Sequence, residues 1–110
     1  MSKSMMMLFL LAFTSCDYAN IANDILLSRT SEQKTQILSG IINSAGESCI
    51  AIESFYQGVD LNDAAYWNIA CSNGQSYVIQ IANDAAATTT IIQCTAMKSL
   101  GAQCFKRFGF

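Results

Sequence analysis

Cys49, Cys71, Cys94 and Cys104 are the residues best able to do defined covalent chemistry in this chain. Their spacing argues against two roles. Zinc-ligating cysteines usually come in close pairs, with about two to four residues between them, and the gaps here are far longer. No Cys-x-x-Cys occurs, so a thioredoxin-type redox motif is absent. An even set in a small exported domain reads as two structural disulfides; three connectivities are possible and the sequence does not fix which, the expected one being Cys49 with Cys71 and Cys94 with Cys104. Each would contribute about 2–4 kcal/mol. Free buried thiols are the alternative.

The remaining chemistry is sparse. The sequence contains no His, which removes the commonest general base and the commonest metal ligand together. Ser and Thr are poor nucleophiles without a base, and no Lys stands at a suggestive spacing from a Ser. Asp60 and Asp63 are paired acids, but Asp60-Leu61-Asn62-Asp63 lacks the rest of a calcium loop and reads as a solvated turn. No catalytic residue, metal site or cofactor is therefore expected. Lys106 and Arg107, among Phe105, Phe108 and Phe110, read as an ordinary chain end with some capacity to touch lipid headgroups or a partner.

Met1 to Ser4 is a short polar start with one cation, Lys3, followed by unbroken apolar residues from Met5 to Phe13 and by the small residues Thr14 and Ser15. That layout is a secretory signal, expected over residues 1–15. The apolar run is too short to span a bilayer core, which takes about 20 residues. Phe13-Thr14-Ser15-Cys16 resembles the bacterial lipobox. The resemblance implies that Cys16 is lipidated and becomes the mature N-terminus. Plain cleavage and secretion is the alternative. Asp17 directly after that cysteine is, in the lipoprotein family, often a signal for retention at the inner membrane. The expected location is the periplasmic face of a bacterial membrane, lipid-anchored, or the exterior.

Apolar residues make up 52% of the chain, which marks a folding sequence, and charged residues only 13%, which is low for a cytosolic domain. A net charge of −2 without a basic stripe gives no electrostatic case for nucleic acid. The length allows one domain. Three segments are expected: the signal over 1–15, a tether or helical segment over 16–45, and a small disulfide-stapled α+β domain over 46–110.

Thr30 and Gln33 form a capping box, and Ile37, Leu38, Ile41 and Ile42 an apolar stripe behind it. Gly40 weakens that helix. Ser44 and Glu47 look like a second box, opening a helix from Glu47 to Gln57 that ends at Gly58. Residues 65–71 and 75–81 then alternate around Ser72-Asn73-Gly74, a three-residue hairpin loop. That loop pairs Cys71 with Gln75, Ile69 with Tyr77, Trp67 with Ile79 and Ala65 with Ile81, leaving one face apolar and the other mostly polar. Thr88 to Thr95 reads as a third strand with Ile92 and Cys94 facing the core. The expected fold is α+β: an N-terminal signal segment, one or two helices, then a three-stranded antiparallel β-meander with a helix packed on one face.

The stretch from Cys49 to Phe105 resembles a group of small exported proteobacterial proteins without an assigned activity. The shared marks are Cys49, Phe55-Tyr56-Gln57-Gly58, the hairpin from Tyr66-Trp67 through Cys71-Ser72 to Tyr77, and Cys94, Cys104 and Phe105. More distantly, the helix, Trp strand and Gly turn are similar to PepSY modules, which implies a binding or inhibitory role. The expected function is an exported, non-catalytic binding or inhibitor module of the bacterial cell envelope, with an envelope protein as partner. Tyr66, on the polar sheet face, is the candidate contact. A structural envelope lipoprotein is the alternative, and a small hydrolase a more distant one.

Overall fold

The computed structural model describes residues 20–108. The signal expected over 1–15, and Cys16, lie outside the described residues. Two helices come first: α1 (Ile21–Leu27) and α2 (Ser31–Ser44). Four strands follow, β1 (Ala51–Val59), β2 (Ala65–Cys71), β3 (Ser76–Ile81) and β4 (Thr89–Gln93). A one-turn helix α3 (Cys94–Met97) runs into a 3₁₀ turn at Lys98–Leu100. The strands form an antiparallel meander in the order β1-β2-β3-β4.

The sheet therefore has four strands and not the expected three, because β1 occupies the segment read as a Glu47–Gln57 helix. The error has a physical cause. β1 carries two register shifts, between Ala51 and Glu53 and between Tyr56 and Gly58. A bulge adds a residue and breaks the period of two, so the apolar positions no longer alternate. Ile52, Phe55 and Tyr56 then mimic helical spacing. Ser44 closes α2 instead of capping a new helix, and Gly58, at φ +123°, sits at the second bulge.

The capping box at Thr30 is present in both directions: the Gln33 N–H donates to Thr30 Oγ1 and the Thr30 N–H to Gln33 Oε1, each at 3.1 Å. The β2–β3 hairpin has the expected register, with Gly74 at φ +88° closing the loop. Trp67, Ile69, Cys71, Tyr77, Ile79 and Ile81 form its buried face, packed under Leu38 and Ile42 of α2 and Leu26 of α1. Both disulfides join the expected cysteines, Cys49 to Cys71 and Cys94 to Cys104.

The second face of the sheet is covered too. Asn68 and Val78 are fully buried there, beneath α3 and the chain that follows it. β4 places Ile91 opposite Ile79, on the α2 side, and Ile92 opposite Val78, on the tail side. Cys94 leaves the strand to begin α3, so the expected pairing of Ile92 and Cys94 on one strand face is replaced by a bend that carries Cys94 to Cys104.

Candidate functional site

Two amides hold the tail on the sheet. The Gln57 Nε2 group donates to the carbonyls of Gln103 and Lys106, each at 2.8 Å. Its Oε1 accepts from Asn68 Nδ2 at 2.8 Å, and Asn68 Oδ1 accepts from the Phe105 N–H. Every polar group of this buried pair is matched, which fixes residues 103–108 in one position. On the opposite face, Asn23 Oδ1 accepts from Trp67 Nε1 at 2.7 Å while its Nδ2 donates to Tyr56 at 3.0 Å. Asn20 caps α1 and also donates to the carbonyls of Asp63 and Ile81, each at 3.0 Å. These four amides pin helix and tail to the sheet. Sequence reasoning missed them, since nothing local distinguishes them from solvated Asn and Gln.

Tyr66, the expected contact residue, lies on the tail-covered face. Its hydroxyl donates to Asp60 Oδ2 at 2.9 Å and accepts from Gln80 Nε2 at 2.7 Å. Its ring meets Phe108 edge-on at 5.0 Å. Burial pushes the phenol up, Gln80 pulls it down, and the Asp60 carboxylate adds to the rise. Asp60 shapes its own loop through the N–H groups of Asn62 and Ala64. Burial alone would raise its carboxyl, but those donors and the Tyr66 hydroxyl outweigh burial and hold it below the ordinary carboxylate range. The Asp63 N–H donates to the Asp60 carbonyl in the same loop, at 3.0 Å, and among the described residues no group of three or more potential metal ligands occurs. Arg107 stacks over the Tyr56 ring at 5.7 Å, and Lys34 over Trp67 at 5.8 Å.

The open surface lies elsewhere, on the α2 side of β4. α2 packs mainly over β1 and β2. Its apolar stripe is therefore divided. Leu38 and Ile42 are fully buried, whereas Ile37 is 43% exposed. Between this flank and β4 runs a groove of about 810 Å³, lined by Ile37, Gly40, Ile41, Ser44 and Ala45 on the helix side. Thr89, Thr90 and Ile91 form its other wall, and Glu47 is its one charged lining residue. The groove adjoins an apolar recess of about 210 Å³, bounded by Ala22, Ile25, Leu26, Ile81 and Ala87 and sharing Ile37, Ile41 and Thr89. Glu47 Oε1 accepts from the Tyr77 hydroxyl at 3.2 Å, placing the carboxylate at the end of β4 where Tyr77 faces Gln93.

β4 is also a sheet edge. The Ala82 N–H donates to the Thr88 carbonyl at 2.8 Å, so Thr88 turns its main chain inward. Alternation in an antiparallel ladder then turns the N–H and C=O groups of Thr89 and Ile91 outward. The other edge, β1, is bulged twice, and the Phe108 N–H donates to Gln57 there at 3.1 Å. Bulges and covering segments blunt an edge, and among the described residues β4 has neither.

No protein-family model, curated protein or solved structure matches this chain.

Proposed function

We propose that this chain is an exported, non-catalytic binding or inhibitor module of the bacterial cell envelope, docking a protein partner in the groove between α2 and β4. The observation that carries the reading is the groove itself. Among the described residues nothing covers the apolar flank of α2 or the sheet edge it faces, and Ile21 and Ile25 extend the exposed apolar surface onto α1. Two disulfides in so small a domain suit an oxidising compartment, and the signal-like start supplies the route to it. Lipidation at Cys16 would hold the module at the membrane with the partner.

The test places a photo-crosslinking phenylalanine analogue at position 37, in the groove, and at position 61, where Leu61 is 91% exposed in the β1–β2 loop. In cells expressing the full chain, a discrete envelope adduct is expected from 37 and not from 61. It should vanish when Gly40→Leu fills the groove. Equal adducts at both positions, or an adduct indifferent to Gly40→Leu, would overturn the reading. Intact mass from native envelopes tests the export half: a chain beginning at acylated Cys16 with four cysteines oxidised is expected, and a full-length chain with five free thiols refutes it.

A further inference from the structure

Resting on that docking reading, we infer that the occupant is an extended strand of a partner protein, added antiparallel to β4, with a Lys or Arg at the end that meets Glu47. Four observations converge on this chemistry. The outward N–H and C=O groups of Thr89 and Ile91 have no bonding partner among the described residues, and extended backbone is what pairs such a row. From Ala85 to Met97 the sequence carries no charge and no proline, so neither of these two protections blunts the edge. Alternate side chains of an added strand would project into the groove on the α2 side. There Gly40 leaves room: a Cβ at this position would meet nothing within 4 Å. A glycine in mid-helix costs helix stability, and no contact among the described residues requires it.

Charge selects the occupant. Glu47 stands at the Gln93 end of β4 and the groove lining offers it no cation. A partner strand with a cation near its N-terminal end, running antiparallel, supplies one. A second copy of this chain does not. Self-pairing of β4 about Ile91 would set Gln93 against Thr89 of the other copy, bringing Glu47 towards that copy's Asp84 loop. Asp84 accepts from the Thr88 N–H at 3.0 Å, which holds its carboxyl below the ordinary range, so two acids would be opposed at each end.

The probe is a synthetic six-residue peptide, Lys-Thr-Val-Thr-Val-Thr, capped at both ends, with a Glu-for-Lys version as control. Binding to the disulfide-bonded protein is followed by NMR, together with amide exchange at Thr89 and Ile91. The Lys peptide is expected to bind at submillimolar concentration and to slow exchange at both amides at least tenfold. The Glu peptide should bind at least fivefold more weakly, and Glu47→Gln should erase that difference. Thr89→Pro removes one outward N–H at the first, solvent-exposed residue of the strand. It should weaken the Lys peptide about tenfold without unfolding the protein, checked by the unchanged β2–β3 hairpin resonances.

Failure of the Lys peptide to bind overturns the inference. So does binding that leaves Thr89 and Ile91 exchange unchanged, because a helix or irregular segment would then fill the groove. Protection of both amides in the protein alone, rising with concentration, with the Ile91 protection lost in Thr89→Pro, would assign the edge to a second copy and overturn it as well. None of these results touches the crosslink at position 37, which tests docking irrespective of the occupant's conformation.

Discussion

Replacing Asn68 by Leu isolates the device that holds the C-terminal segment. Asn68 is 0% exposed and Gln57 1% exposed, and together they take up two tail carbonyls and the Phe105 N–H. Leu has the branching and the side-chain heavy-atom count of Asn and adds no charge. The substitution leaves Gln57 Oε1 and the Phe105 N–H without partners. Each buried, unmatched group costs about 1–3 kcal/mol. Phe105 is only half-buried, so a lifted tail lets water reach its N–H, and the lower part of the range applies. The expected loss is about 2–4 kcal/mol. At about 4–8 °C per kcal/mol for a domain of this size, Tm should fall by roughly 8–32 °C. Denaturant unfolding with the disulfides intact measures the loss, and amide exchange locates it. Exchange should accelerate at residues 103–108 while α2 remains protected, since α2 packs on the opposite face. A loss below about 1 kcal/mol with the tail still protected would refute the amide clamp and assign tail attachment to the Cys94–Cys104 bridge alone.

Three further outcomes are expected. Gly40→Ala should stabilise the isolated protein by about 1 kcal/mol in urea unfolding, because the added Cβ meets open space and alanine is the better helix former; no gain would mean that α2 needs its glycine for internal reasons. Replacing Cys94 and Cys104 together by Ala should cost about 2–3 kcal/mol and release the tail, whereas the longer Cys49–Cys71 loop makes its double replacement cost about 3–4 kcal/mol, both read from denaturant midpoints. Asp60 gives an acid signature. Its folded pKa is depressed, so its contribution is present above the ordinary carboxylate value and is lost as pH falls through the lower folded value. In Tm measured from pH 7 down to pH 2, Asp60→Asn should begin lower and fall less steeply below about pH 4 than the parent protein.

Local patterns made much of the fold legible. Thr30 and Gln33 announced α2 because a capping box is a contact between residues three apart. Ser72-Asn73-Gly74 announced the hairpin, and the side-chain alternation on either side fixed its register before any tertiary contact was known. An even cysteine count announced two disulfides and left three connectivities open, of which the fold makes Cys49–Cys71 and Cys94–Cys104. β1 was illegible because its bulges erase the period of two, and a sequence pattern carries no mark of a residue that pairs with nothing.

The candidate site was harder still to see. Ile37, Leu38, Ile41 and Ile42 read as one stripe, and no sequence pattern divides such a stripe into a buried half and an open half. That division depends on how far α2 sits from β4 across the sheet. Tyr66 stood out because its strand face was mostly polar; what the sequence does not show is that the tail lays Phe108 edge-on against its ring while Asp60 and Gln80 take its hydroxyl. The sequence by itself determined the elements whose signals are local: caps, turn, alternation and cysteine number. Only the tertiary structure decided which edge is open, which flank of α2 is bare and which polar residues are buried. Those properties are set by contacts between segments some 40 to 60 residues apart, such as Asn20 with Ile81 and Gln57 with Lys106, and no local pattern encodes them.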